Sequence, residues 1–205
     1  WRDRAIQLLM FEGCFIGFGW GVFDVAVPAY ATQEGVQQRV AWIFAAFGIA
    51  TVIGGLLGGL VSKKLAPLSA LRNAYVVWFI TCIPVAFTYP DWTMALVGTF
   101  IGLMGGAVQV FYFEVLEAVR PKGSQTASLG WIWSVEGSFM AVGAATGGWI
   151  SEHYSPQIGL ALLPTMLFCG LIILTVGKKR LDAANDVPTE EEDLQAIKDI
   201  SNEVK

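Results

Sequence analysis

The stretch Val40 to Val61 reads VAWIFAAFGIATVIGGLLGGLV, twenty-two residues without one ionisable side chain. At about 1.5 Å per residue a helix of that length reaches about 33 Å, enough to cross a hydrocarbon core of roughly 30 Å. Five more stretches of similar character flank it: Ala5 to Tyr30, Ala74 to Tyr89, Trp92 to Phe113, Ser128 to Ile150 and Ile158 to Val176. Ala74 to Tyr89 is short and borrows Ser69 to Asn73, with the Arg72 side chain reaching back to the interface. None alternates with period two, and in lipid only a helix satisfies its own backbone polar groups. The pattern predicts an all-α polytopic membrane protein with six transmembrane helices over residues 1–177, followed by an acidic tail over 178–205.

The composition agrees with that solvent. Of 205 residues, 55% are hydrophobic and only 15% charged, too few charges to cover a water-soluble domain of this size. The net charge of −4 sits mostly at one end, because Lys178 to Lys205 holds five basic and eight acidic residues. Cys14, Cys82 and Cys169 are odd in number, far apart and set in apolar runs, so neither a disulfide framework nor a metal spacing is present. His153 has no second metal ligand beside it, and no cofactor is implied. The chain opens on Trp1 without methionine or signal-peptide form, which reads as a piece of a longer protein.

Cytoplasmic loops retain Lys and Arg, so the connecting segments set the orientation. Twelve of the thirteen basic residues fall on one side: Arg2 and Arg4 before the first span, Lys63, Lys64 and Arg72 after the second, Arg120 and Lys122 after the fourth, and five beyond the sixth. The opposite loops hold only Arg39. Both ends are therefore expected in the cytoplasm. Small residues four apart, at Gly13, Gly17 and Gly21, at Gly54 with Gly58, and at Gly98, Gly102 and Gly106, allow close helix approach; they serve either static packing or a mobile interface. Beyond the spans, Thr189 and Glu192 stand at capping-box spacing, and Leu194, Ile197, Ile200 and Val204 share one face. That predicts a short acidic amphipathic helix, a solvated tail or a docking surface.

Three ionisable residues fall inside the spans: Glu12, Asp24 and Glu136. Each costs about 3 kcal/mol on insertion scales, which makes it a functional candidate. Glu136 lies about 12 Å into the fifth span, with Trp133, Ile132, Phe139 and Met140 as helical neighbours. It is a candidate proton-coupling group or an acid that hydrogen-bonds two helices together. Asp24, whose carbonyl is freed by Pro28, is a second proton-coupling candidate, at a gate or at an interfacial helix end. Glu12 is expected at the headgroups. Gln109 is a candidate substrate anchor or an interhelical bond, with Tyr112, Trp133, Phe139 and Trp20 as apolar contacts. Glu114 and Glu117 end the fourth span with Arg120 three residues on, spacing that forms an ion pair or an inner latch. His153 is expected to be an exposed outer-loop residue. The glycines lie within spans and lack a P-loop lysine, no nucleophile with its base is spaced for catalysis, and no basic aromatic surface suits nucleic acid. An enzyme is not expected.

Six helices with both ends inside, short outer loops and basic inner loops resemble one half of a major facilitator superfamily transporter. Gly58 to Lys64, GGLVSKK, is similar to the second copy of that family's G-x-x-x-D-R loop motif, with Ser62 at the acidic position and Lys63 at the basic one. Gly143 to Ser151, GAATGGWIS, is similar to the glycine-rich face of the family's corresponding helix. Gly19 to Gly35, GWGVFDVAVPAYATQEG, resembles the opening helix of the C-terminal half in bacterial efflux-type members. The resemblance implies two inverted three-helix repeats, a partner N-terminal half of six helices, a location in the inner membrane, and rocking about a midplane site. It makes Ser62 and Lys63 gating candidates alongside Glu114, Glu117 and Arg120. It further implies proton-coupled efflux of a small amphipathic or hydrophobic molecule; a transporter-shaped scaffold for membrane assembly or pigment delivery and a nutrient importer are the alternatives.

Overall fold

A computed structural model describes residues 4–62, 66–183 and 187–203. Six long helices form the bundle: α1 (Arg4–Gln33), α2 (Val40–Ser62), α3 (Pro67–Cys82), α4 (Trp92–Val119), α5 (Gln125–His153) and α6 (Pro156–Val176). Two short ones follow, α7 (Lys178–Ala183) and α8 (Glu190–Glu203), and the described residues contain no strand. The third span begins at Pro67, well before Ala74, with the proline at the first helical turn where its missing N–H is harmless. It tightens into a 3₁₀ turn over Ile83–Phe87 at Pro84.

Five of the six helices are long and apolar enough to cross a membrane. The exception is α5, which is 29 residues long but carries Ser128, Ser134, Glu136, Ser138 and Thr146. Ser134, Ser138 and Thr146 each donate to the carbonyl four residues back, at 2.7 to 2.8 Å, so their hydroxyls are satisfied within the helix. Apolar length therefore marks five crossings, and the sixth long helix is a polar one of sufficient length.

The pairing of helices repeats. α1 lies along α5 and α6, α4 lies along α2 and α3, and α3 meets α6. Exchanging α1 with α4, α2 with α5 and α3 with α6 maps these contacts onto one another, the pattern of two three-helix repeats. Glycines make both long contacts possible. A Cβ on Gly17 or Gly21 would overlap the α5 backbone at Glu136 or Met140, and one on Gly143 would overlap Phe18. Across the other pair, Gly54 faces Leu103, Gly102 faces Phe47 and Gly106 faces Thr51 in the same way. Backbone contact of this kind replaces the hydrophobic drive that lipid does not supply.

Between the two groups lies an aromatic core. Trp20 of α1 packs on Phe23, Phe47 and Trp78 with ring centroids 5.5 to 5.7 Å apart, and Trp78 donates its indole N–H to the Ile101 carbonyl at 3.0 Å. The outer faces are apolar instead of polar: Val52, Leu56 and Leu60 of α2 and Val142 and Trp149 of α5 are exposed. In water this would be a liability, whereas in lipid or against a second bundle it is the ordinary surface. At the ends, Asp91 accepts from the Thr93 N–H at 2.7 Å and Ser155 caps α6 through the Ile158 N–H at 3.4 Å.

Candidate functional site

α1 and α5 enter the bundle from the same side, and two acids sit at matching depths along them. Glu12 lies eight residues past the start of α1 at Arg4, and Glu136 lies eleven past the start of α5 at Gln125. Glycine lets the two helices touch here: a Cβ on Gly13 would lie 4.0 Å from the Glu136 Cβ. Glu12 is only 1% exposed, which corrects its expected place at the headgroups. The Tyr75 hydroxyl from α3 donates to Glu12 Oε1, and both side chains pack against α6 at Gly170. Tyr112 from α4 is buried beside them and donates its hydroxyl to the Leu9 carbonyl at 3.3 Å.

One small internal cavity is lined by Glu12, Gly13, Ile16, Tyr75, Trp78, Val108, Gln109, Tyr112 and Glu136. It carries two carboxylates and no Lys, Arg or His among the described residues. An unpaired buried carboxylate is expensive, and the inexpensive way to keep it is to hold a proton or another cation on it. Glu136 and Gln109 also line the cavity's outer neighbour, a cleft of about 430 Å³ between α4 and α5 with Phe113, Trp133, Gly137 and Met140. These two side chains therefore line both the small acid cavity and the larger, aromatic cleft. Phe113 and Trp133 stack across the cleft with centroids 6.5 Å apart, and on their far side a second cleft of about 570 Å³ runs to Glu117 and Arg120.

The structure brings together Glu136, Gln109, Tyr112 and Trp133 of the candidate site residues. It does not bring in the others. Asp24 is exposed on α1, twelve residues and about 18 Å along the helix from Glu12. Trp20 belongs to the aromatic core, and Phe139 is exposed but lines neither cleft. Ser62 is buried at the end of α2, where its hydroxyl donates to the Gly59 carbonyl at 3.3 Å; Lys63 lies outside the described residues. Glu114 is half-buried one turn before Glu117. His153 is exposed and stacks on Trp149. Tyr75 escapes a reading of the sequence for site residues, whereas Glu12 is singled out there as an acid within a span but expected at the headgroups. A signal for Glu12 exists nonetheless: counted from Ala5 and Ser128, Glu12 and Glu136 are seven and eight residues into their spans, so parallel helices set them level.

At the helix ends, Arg120 forms the pair expected with Glu117, with Nε donating to Glu117 Oε2 at 2.8 Å. A third residue completes it. Asp193 of α8 accepts from Arg120 Nη1 at 3.0 Å and from the Gly123 N–H at 2.6 Å. The guanidinium and this backbone N–H hold the Asp193 carboxyl down to about 2. The same two carboxylates push the Arg120 guanidinium further up.

The sequence pattern of the Major Facilitator Superfamily matches residues 9–204, nearly the whole chain. The chain belongs to the Major Facilitator Superfamily. It is an integral membrane protein of that family, and the paired three-helix contacts are the form its membership takes in the fold. The chain is also 29% identical over 190 residues to YtbD of Bacillus subtilis (strain 168), described as an uncharacterised MFS-type transporter. That match covers 87% of this chain and 46% of the relative, so the chain spans about half the length of the relative it matches.

Proposed function

We propose that this chain is the C-terminal half of a proton-coupled secondary transporter that exports small amphipathic or hydrophobic molecules, working with an N-terminal six-helix half across the inner membrane. The observation that carries the coupling is the cavity holding Glu12 and Glu136 without a basic side chain in its lining. The groups facing Glu12 are Tyr75 from α3, Tyr112 from α4 and Glu136 from α5. Two carboxylates lining one small cavity without a basic partner, in a medium of low dielectric, resist being ionised together, and in this reading the pair holds a proton until the surroundings change. Glu136 is the member that also lines the open cleft, so it is the one through which protons and substrate compete.

In this reading the substrate lies against Phe113, Trp133 and Met140 while Glu136 is without its proton, with Gln109 as its polar anchor, and protonation of Glu136 from the outer side displaces the substrate. Release of that proton to the cytoplasm resets the site. The export direction is supported by the resemblance of Gly19 to Gly35 to efflux-type members. Both ends of the chain face the cytoplasm in this arrangement, following the twelve-to-one distribution of basic residues. Glu114, Glu117 and Arg120 would then stand at the inner gate.

The test is flux in proteoliposomes containing the complete carrier under an imposed pH gradient. Lipophilic dyes serve as probe substrates. Glu136→Gln is expected to abolish gradient-driven accumulation while exchange of substrate persists. Accumulation that still follows the pH gradient in Glu136→Gln would overturn the proposal.

A further inference from the structure

Helices α4 and α5 are joined directly by the turn Arg120–Ser124, yet their backbones hardly approach one another and the Phe113–Trp133 stack bridges the gap between them. α5 is held by α1 through Gly17, Gly21 and Gly143, and α4 is held by α2 through Gly54, Gly102 and Gly106. The two clefts of about 430 and 570 Å³ occupy the space between them. The spacing of α4 and α5 at this end therefore depends on the turn and on whatever is bound to it.

What is bound to it is α8. The Arg120 side chain is 2% exposed and is engaged on both edges of its fork, by Glu117 from its own helix and by Asp193 from α8. Asp193 also takes the N–H of Gly123, whose φ of +75° is a conformation other residues rarely adopt. A side chain at Gly123 would meet Ala196 and Ile197 of α8 at 3.1 to 3.4 Å, so the bare glycine is the seat on which the helix rests. Lys122 adds an exposed pair with Glu192 at 2.8 Å. The start of α8 is fixed by its own capping box, the Thr189 N–H donating to Glu192 Oε2 at 3.0 Å and the Glu192 N–H to Thr189 Oγ1 at 3.4 Å. α8 is thus pre-formed where its anchor is needed, and an acidic tail is matched to a basic turn.

We propose that α8 is an intramolecular latch: docked through Asp193 on Arg120 and Gly123, it fixes the α4–α5 turn and holds the two clefts at one width, and it must release for the transport cycle to proceed. The inference rests on the chain acting as a transporter half, but not on proton coupling. Its first readout, a distance, needs no transport at all.

The experiment uses the complete carrier with Cys14, Cys82 and Cys169 replaced by alanine. Spin labels at Ala127→Cys on α5 and Lys198→Cys on α8 report docking by pulsed electron resonance. A narrow distance distribution is expected, and Asp193→Asn is expected to broaden it and to raise flux by about threefold or more, a change within the range by which residues remote from a site modulate coupling. Arg120 keeps Glu117 in that variant, so the fold is not at stake. In the converse arm, Lys122→Cys and Glu192→Cys joined by a short reducible cross-linker are expected to lose most flux and regain it on reduction. A broad distribution in the unmodified carrier would overturn the latch. So would cross-linked carrier that transports at the free rate, or an Asp193→Asn carrier whose flux is unchanged or lowered.

Discussion

Two pairs of carboxylates lie beside adjoining clefts of the same bundle, and their surroundings are opposite. Glu117 and Asp193 share one arginine, which meets both of them bidentately, and Asp193 adds a backbone N–H. Glu12 and Glu136 share a cavity whose lining offers tyrosines, glycine and a glutamine, but no cation among the described residues. Asp193 of the first pair, held down by the guanidinium and the Gly123 N–H, is built to stay charged at every physiological pH. The second pair has a tyrosine hydroxyl on Glu12 but no cation in its lining, and a bound proton is the smallest ligand that would relieve the cost of its charge. On the proposed coupling, the contrast separates a structural use of acids from a cycling one within a single bundle.

The largest expected effect breaks the second pair. Glu12→Gln and Glu136→Gln, singly or together, should each reduce gradient-driven flux by about a hundredfold, because groups that act as one unit are not additive. Rates measured in proteoliposomes check this, and a double variant far worse than either single one would show that the acids act separately. Next in size is the contact that brings the acids level. Gly17→Leu places a side chain into the Glu136 backbone and should destabilise by about 1–3 kcal/mol or prevent assembly. Gly59→Leu, where the space beyond the missing side chain is open, should leave the thermal unfolding temperature nearly unchanged.

Tyr75→Phe removes the donor to Glu12 and should lower stability by about 1–2 kcal/mol, read by unfolding in detergent. The smallest effect belongs to the first pair. The Asp193 carboxyl, held near 2, strengthens docking at pH above the ordinary aspartate range of about 4 and loses that contribution only as pH falls through about 2. Docking of α8 should therefore be flat between about pH 5 and 8 while proton-driven flux varies. A docking transition near pH 6 would erase the distinction between the pairs.

Much of the fold is legible in the sequence, because a lipid-facing helix must be long, apolar and hydrogen-bonded to itself. Val40 to Val61 leaves no other reading, and the capping box at Thr189 places the start of α8 correctly. The opposite holds for α5: its hydroxyls and Glu136 dilute the apolar signal, although back-bonding to the preceding turn makes them tolerable. The site is legible only where one residue suffices. Glu136 and Gln109 stand out as polar groups in apolar runs, whereas Tyr75 looks like any aromatic in a span until α3 turns it toward Glu12. Trp20 and Phe139 show the reverse error, since sequence supplies ring chemistry but not rotation: one turns into the core and the other away from the clefts. Asp193 is hidden for a third reason. Its partner lies 73 residues away, beyond the reach of any helical spacing rule.

Infrared difference spectroscopy of the complete carrier in lipid, titrated from acid to alkaline pH, tests the core pair most directly. Protonated carboxylic acids absorb in a region clear of carboxylates and amides. A carboxylic acid band is expected that disappears with rising pH and that is missing in Glu12→Gln or Glu136→Gln. A spectrum in which neither substitution alters any protonated carboxyl band would contradict the cycling role, because both acids would then be ionised throughout and could not carry the coupling proton.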